Sequence, residues 1–371
     1  MTLDEFLQLR NTDVSTVVEA VQKAVGLGPD DLLLAVGSIV EGQGNSRSDL
    51  DLLLITPGEF GSSASFVAGK CIVDIRFLKT SEIDGLLSRF EEWSQSPWQV
   101  AQAAPLTYEE RVLLHRLHHG LILHCGADEQ VTARIPSLLN LARLKLHVAR
   151  QLARTIQVDM AGYREVKDYR SLVFAAQELL GHAIDALNAG HRLTNPLSKW
   201  RSRLLQSLPA DWESGLGHRP EGLPAVELCW RLHRAPVRAG REASLKHALR
   251  IATFARAVFH WAETTLVGSG KKVQTKTWPR NGRKSREAPL PYLDFDVDFF
   301  LSNGHVTVAR LNEFSGTLKL SAPQFAIALL FDGTTTPSEA DRYIHGAEQS
   351  KKRTKAVESL VSQVVNANLH V

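Results

Sequence analysis

The sequence predicts an α+β protein in three parts, and three patterns carry that expectation. Short apolar runs parted by turn formers open the chain, at Leu32–Val36, Leu50–Ile55 and Lys70–Leu78. Apolar residues then recur every three or four positions from about Pro136 to about Thr265. Near the C-terminus, Tyr292 to Leu301 alternates, Ser302-Asn303-Gly304-His305 reads as a hairpin turn, and Val306 to Leu311 answers as the partner strand.

The elements follow in order. A helix is expected over Asp13–Val25, then a strand over Leu32–Val36 that ends at Gly37-Ser38. After a stretch of loop formers, Asp49-Leu50-Asp51 opens the next strand, which runs to Ile55. Residues i and i+2 of a strand share a face, so Asp49 and Asp51 project together while Leu50 and Leu52 turn to the core. Like charges this close repel and raise each other's pKa, so a buried strand seldom carries such a pair unless a cation neutralises it. Oxygen donors without a nearby Cys or His favour Mg²⁺ or Mn²⁺ over zinc. Asp74 is the third acid, alone in the apolar middle of Lys70–Leu78. The Gly37-Ser38 turn would offer backbone N–H groups and the Ser38 hydroxyl, at a helix start, to the β- and γ-phosphates of a nucleotide. Further helices are expected near Ser81 and near Tyr108, the second entered through Pro105-Leu106-Thr107 with Glu109 and Glu110 in its first turn.

Val36-Gly37-Ser38, Asp49-Leu50-Asp51 and the later Asp74 together resemble the signature of the nucleotidyltransferase superfamily. The resemblance covers the chain as far as the Asp74 strand. It implies a mixed sheet with helices on one face, two divalent ions (Mg²⁺, with Mn²⁺ as the alternative) held by Asp49, Asp51 and Asp74, and an NTP as substrate. The implied reaction moves a nucleoside monophosphate to an acceptor with release of pyrophosphate. Many members carry Arg directly after Gly-Ser; here Ile39 stands there, and Arg47 is the candidate to supply that charge to the triphosphate. The same residues would also serve as an ordinary turn and a solvated strand entry, but agreement of three elements in order favours the site.

His115, His118, His119 and His124 cluster in a way that invites a zinc site, yet no acid or cysteine completes the ligand set. A helix end with cations on its dipole, followed by a strand, is the better expectation. The helical part contains Asp168-Tyr-Arg-Ser-Leu, Glu178 to Leu187 and Thr194-Asn-Pro-Leu-Ser-Lys199-Trp200-Arg201, which is similar to the helical domains of antibiotic-type adenylyltransferases. That resemblance implies a helical lid whose lysine reaches the triphosphate, and Lys199 is the candidate; the alternative is a solvent-facing cation beside a core tryptophan. Asp168 and Glu178 are either acids contacting an acceptor or, more simply, solvated helix acids.

Residues 268–290 hold seven cations against one acid, with several Gly and Pro, the composition of a linker. The domains expected are 1–130 catalytic, 131–267 helical, 268–290 basic linker and 291–371 a small module that resembles a winged helix and, loosely, the peptide-recognition domains of enzymes that modify ribosomal peptides. Asp294, Asp296 and Asp298 alternate there and are expected on a solvated face, with Leu293, Phe295 and Val297 inward.

The functional expectation is a metal-dependent nucleotidyltransferase, with ATP the expected NTP, acting on a hydroxyl of a small-molecule acceptor. Modification of a peptide, protein or tRNA recruited by the C-terminal module is the alternative, and a non-catalytic nucleotide-binding or toxin–antitoxin partner the second. At 371 residues, 44% hydrophobic and 22% charged, the composition is that of an ordinary globular chain. A net charge of +3 implies no general nucleic-acid coat. Cys71, Cys125 and Cys229 form no paired motif, and no run reaches membrane-spanning length, so a cytoplasmic protein with reduced thiols is expected.

Overall fold

The computed structural model describes the chain apart from residues 59–60, 97, 99–105, 126–134, 216–222, 237–239, 268–286, 303–304, 313–315 and 346–350. The Pro105 helix entry, the Asn303-Gly304 turn and most of the basic linker lie outside the described residues. The fold is α+β, and the chain divides into two compact units, Met1–Leu141 with Thr194–Trp200, and Ala142–Leu193 with Arg201–Val371.

In the first unit, helices α1 (Leu3–Leu9) and α2 (Val14–Val25) precede strands β1 (Leu32–Val36), β2 (Leu50–Thr56), β3 (Ser63–Ala68) and β4 (Cys71–Lys79). Helices α3 (Thr80–Gln95) and α4 (Tyr108–His119) and strand β5 (Leu121–Cys125) follow. The sheet order is β3-β4-β2-β1-β5, with β2 and β4 parallel and the other pairs antiparallel, so the sheet is mixed. Leu33, Ala35, Leu50, Leu52, Leu54, Val73 and Ile75 form one core with Phe6 and Leu7 of α1 and Val17 and Val21 of α2. The alternate residues Leu34 and Val36 lie against Gly120 at the end of α4. Helices therefore cover both faces, where one was expected. The unbroken apolar run Leu52–Ile55, buried throughout, already requires two covering layers.

In the second unit, α5 (Leu138–Glu165) enters from Ala142 onward, followed by α6 (Tyr169–Gly190), α7 (Arg201–Gln206), α8 (Ala225–His233) and α9 (Arg241–Leu266). Strands β6 (Val297–Ser302), β7 (His305–Arg310) and β8 (Leu318–Leu320) pair antiparallel in that order, ahead of α10 (Ala322–Ala328), α11 (Pro337–His345) and α12 (Lys351–Asn366).

The acids expected on a solvated strand face are buried: Asp294 and Asp298 are 0% exposed and Asp296 7%. Arginines from two elements, α5 and β7, neutralise them. Arg150 Nη2 and Arg154 Nε donate to Asp298 at 2.8 Å each, while Arg164 and Arg310 Nη2 hold Asp294, the latter at 3.0 Å. Arg310 Nη1 also holds Asp296. Arg150 Nε reaches Glu263 at 3.1 Å. Burial alone would raise the Asp298 carboxyl; Arg150 and Arg154 hold it below the usual range. The strand is also shorter than expected. Residues 295–296 form a turn around the buried Arg256 guanidinium, which takes the carbonyls of Leu293, Asp294 and Val297. Both sequence faces are thus interior, because charge pairing replaces water on the acidic one.

Removing one partner of this cluster strands the others. Arg150→Met should cost about 3–5 kcal/mol, since Asp298 loses one of its two arginines and Glu263 its guanidinium inside the protein. Denaturant unfolding of the full chain measures it.

Candidate active site

The first unit places the three predicted acids on one face of its sheet. Asp51 pairs with Val36 of β1 on one side and lies in register with Asp74 of β4 on the other. Register partners on neighbouring strands present their side chains to one face, and Asp49, two residues ahead of Asp51, shares it. This is the face opposite the core made with α1 and α2. On it Ile72 and Arg76 flank Asp74 and are exposed, so the acids are not capped by apolar packing. Asp51 is the second residue of β2, the central strand, and is partly buried, while Asp49 is exposed.

Burial pushes the Asp51 carboxyl above the usual range. Arg116 opposes the shift, the charges of Asp49 and Asp74 add to it, and Lys199 works against it. Arg116 Nη2 stands 3.8 Å from Asp51 Oδ2. Asp74 accepts a hydrogen bond from Ser65 Oγ of β3.

Gly37 follows β1 with φ +80°, and a Cβ there would run into the Asp51 carboxylate, with Asp51 Cγ at 3.2 Å. Glycine is needed both for the left-handed backbone and for the close approach of the acid. No helix starts at Gly37-Ser38, contrary to expectation. The chain makes one helical turn, with Glu41 N–H donating to Gly37 O at 3.1 Å, and closes it by donating Gln43 and Gly44 N–H to Ser38 O at 2.8 and 2.7 Å. Gly42, at φ +70°, ends the turn, and Ile39 fills the space beside Gly44. Among the described residues, the Ser38, Ile39 and Val40 N–H groups find no backbone acceptor, which leaves a short run of donors beside Asp51.

Lys199 is exposed on the Thr194–Trp200 segment, which belongs to this unit, with Nζ 5.1 Å from the Trp200 ring centroid. Its charge reaches Asp51. Arg47 is exposed, and its N–H donates to Asn45 Oδ1 at 2.8 Å. Among the described residues, no hydrogen bond or ion pair joins its side chain to Asp49, Asp51 or Asp74. Asp168 is the exposed N-cap of α6, accepting from Ser171 N and Oγ, and Glu178 is exposed on the same helix.

Three of the histidines, His115, His118 and His119, are engaged in hydrogen bonds within the protein. His115 is buried and bonds Glu41 through Nε2 at 2.9 Å and Thr194 through Nδ1 at 3.0 Å; His119 Nε2 meets the same Thr194 hydroxyl at 3.1 Å. Burial, reinforced by His115 and His118, lowers His119 to about 4, so it is neutral near pH 7 rather than a cation on the helix dipole.

The oxygen donors on one face and the only partly offset charge at Asp51 suit a hard divalent cation in chemistry. They do not form a closed shell as they stand. Among the described residues no three His, Cys, Asp or Glu side chains are gathered to hold an ion, and Asp74 would have to share or leave its bond with Ser65.

Sequence reasoning missed Arg116, Ser65 and Arg10. Arg116 was visible only as part of the histidine-rich helix end. Ser65 lies on β3, too polar on its exposed face to read as a strand. Arg10 caps α1 and donates to the carbonyls of Ser46 at 2.8 Å and Lys70 at 3.3 Å, joining the loop before Asp49 to the turn before β4. No protein-family model and no curated protein matches the chain. Among the described residues no helix is long and apolar enough to cross a membrane.

Two outcomes follow from this geometry. Gly37→Ala should lose about 1–3 kcal/mol from backbone strain and from displacement of Asp51, read by thermal unfolding. For His119 the folded-state pKa lies below the unfolded one, so between about 6.5 and about 4 the unfolded chain binds the extra proton. Its contribution to stability is complete above that window and falls away as pH drops through it. His119→Gln should flatten the slope of stability against pH there.

Proposed function

We propose that the chain is a metal-dependent nucleotidyltransferase that moves a nucleoside monophosphate from an NTP, ATP by preference, to a hydroxyl of a small-molecule acceptor. The observation that carries this is the register pairing of Asp51 with Asp74, Asp49 beside them, against a glycine turn with free amides.

Asp49, Asp51 and Asp74 would hold the ions. Bound there, divalent cations supply charge neutralisation and oxygen orientation for in-line transfer. The Ser38–Val40 amides bind triphosphate oxygens, and Arg116 and Lys199 add positive charge on the same side. The acceptor oxygen bonds to the α-phosphorus as the bond to pyrophosphate breaks, and an Asp74 carboxylate oxygen takes the hydroxyl proton. Pyrophosphate leaves.

A macromolecular acceptor is favoured by one observation, the three-stranded β6-β7-β8 sheet with a helical run after it, a second surface beyond the needs of small-molecule transfer. Both readings are tested by incubating the full chain with each Mg-nucleotide and a panel of hydroxylated metabolites and peptides, with mass detection of the adduct. Asp49→Asn and Asp51→Asn should abolish pyrophosphate release. Mg²⁺ should raise the melting temperature of the parent and not of Asp51→Asn. Since the raised Asp51 pKa means the fold disfavours its charge, metal-free Asp51→Asn should be at least as stable as the parent at pH 7. Turnover by Asp51→Asn sinks the assignment.

A further inference from the structure

Glu41 is a charged residue that the chemistry above does not use. It sits on the Gly37 turn, four residues after the glycine, with its side chain only 10% exposed. A carboxylate so enclosed is costly unless donors meet it. Two do: His115 Nε2 at 2.9 Å and Asn195 Nδ2 at 2.6 Å, both on the same oxygen. Burial would raise the Glu41 carboxyl, but the His115 bond and charge, with Asn195, hold it below the usual range.

The hydrogen bonds form one chain. A carboxylate only accepts, so His115 Nε2 carries a proton and donates it. The Thr194 hydroxyl stands 3.0 Å from His115 Nδ1 and 3.1 Å from His119 Nε2, so it ties the two rings together. Glu41, His115 and Asn195 therefore join the Gly37 turn, α4 and the start of the Thr194–Trp200 segment.

Asn195 does two things at once. Its Nδ2 donates to Glu41, and its Oδ1 accepts the Leu197 N–H at 3.0 Å, fixing the first bend of the segment. Trp200 N–H then donates to Leu197 O at 3.1 Å, closing the short turn that carries Lys199. The path from Glu41 to Lys199 is thus a run of named hydrogen bonds within one unit.

We propose that Glu41 is a positioning residue: through Asn195 and the His115–Thr194 pair it fixes the Thr194–Trp200 segment on the Gly37 turn and so sets Lys199 within electrostatic reach of Asp51. It rests on the nucleotide-handling role given above to Asp51 and Lys199. Glu41 touches neither nucleotide nor metal; it decides where the lysine stands.

The test uses the full chain with Glu41→Gln, Lys199→Ala and the double variant, and two readouts. Amide exchange at Leu197 and Trp200 in nucleotide-free protein should quicken by about tenfold or more in Glu41→Gln while β2 and β4 amides stay unchanged. Mg·ATP affinity by calorimetry should weaken by about tenfold in Glu41→Gln and show no further loss when that change is added to Lys199→Ala. Asn195→Ala serves as the second variant should Glu41→Gln not fold, with the same expectation. Unchanged exchange at Leu197 and Trp200, or equal weakening in both lysine backgrounds, overturns the proposal. If the unaltered chain binds no Mg-nucleotide, the functional assignment falls by itself, and the exchange arm still upholds or overturns Glu41 as the anchor.

Discussion

The first unit is organised around one unfavourable fact: Asp51 brings negative charge into the start of the central strand and faces two more acids there. Burial and its neighbours raise its carboxyl, while Arg116 and Lys199 only partly offset them. Such crowding persists in a fold only where something else benefits from it. Gly37 has the backbone that lets the acid approach, Arg10 ties the loop before Asp49 to the turn before β4, and Ser65 steadies Asp74. Each of these contacts maintains a concentration of charge that the apolar core does not need.

The second unit repeats the same sequence pattern with the opposite outcome. Asp294, Asp296 and Asp298 alternate as Asp49 and Asp51 do, yet they are enclosed and matched by Arg150, Arg154, Arg164 and Arg310. There the acids are neutralised within the protein, and what remains is a structural cluster. The difference between the two sites lies in supply of counter-charge, with several buried guanidinium partners in one and Arg116 at 3.8 Å with an exposed Lys199 in the other.

That contrast also explains what was legible in the sequence. Strands β1, β2 and β4 and the acids they carry were readable because apolar runs and turn formers are local signals, and alternation fixes which side chains share a face. The short α1 and the polar β3 lacked such signals, and with them went Arg10 and Ser65. The pairing of Asp298 with Arg150 spans 148 positions in the chain, and that of Glu41 with Asn195 spans 154, so no spacing rule could announce either. The alternating acids near the C-terminus were read as solvated for this reason. The histidine cluster's hydrogen bonds depend on Glu41 and Thr194, which only the fold brings near.

The guanidinium cluster of the second unit has a consequence for how this chain can be dissected. Cutting ahead of Leu293 would strip Arg154 of Asp298 and Arg256 of its carbonyl partners at once and leave Arg150 with Glu263 alone, exposing unmatched cations inside α5 and α9. A shortened chain would report on the collapse of its own interior before it could report on lost recognition. The last eighty or so residues are, electrostatically, the missing half of the helices before them.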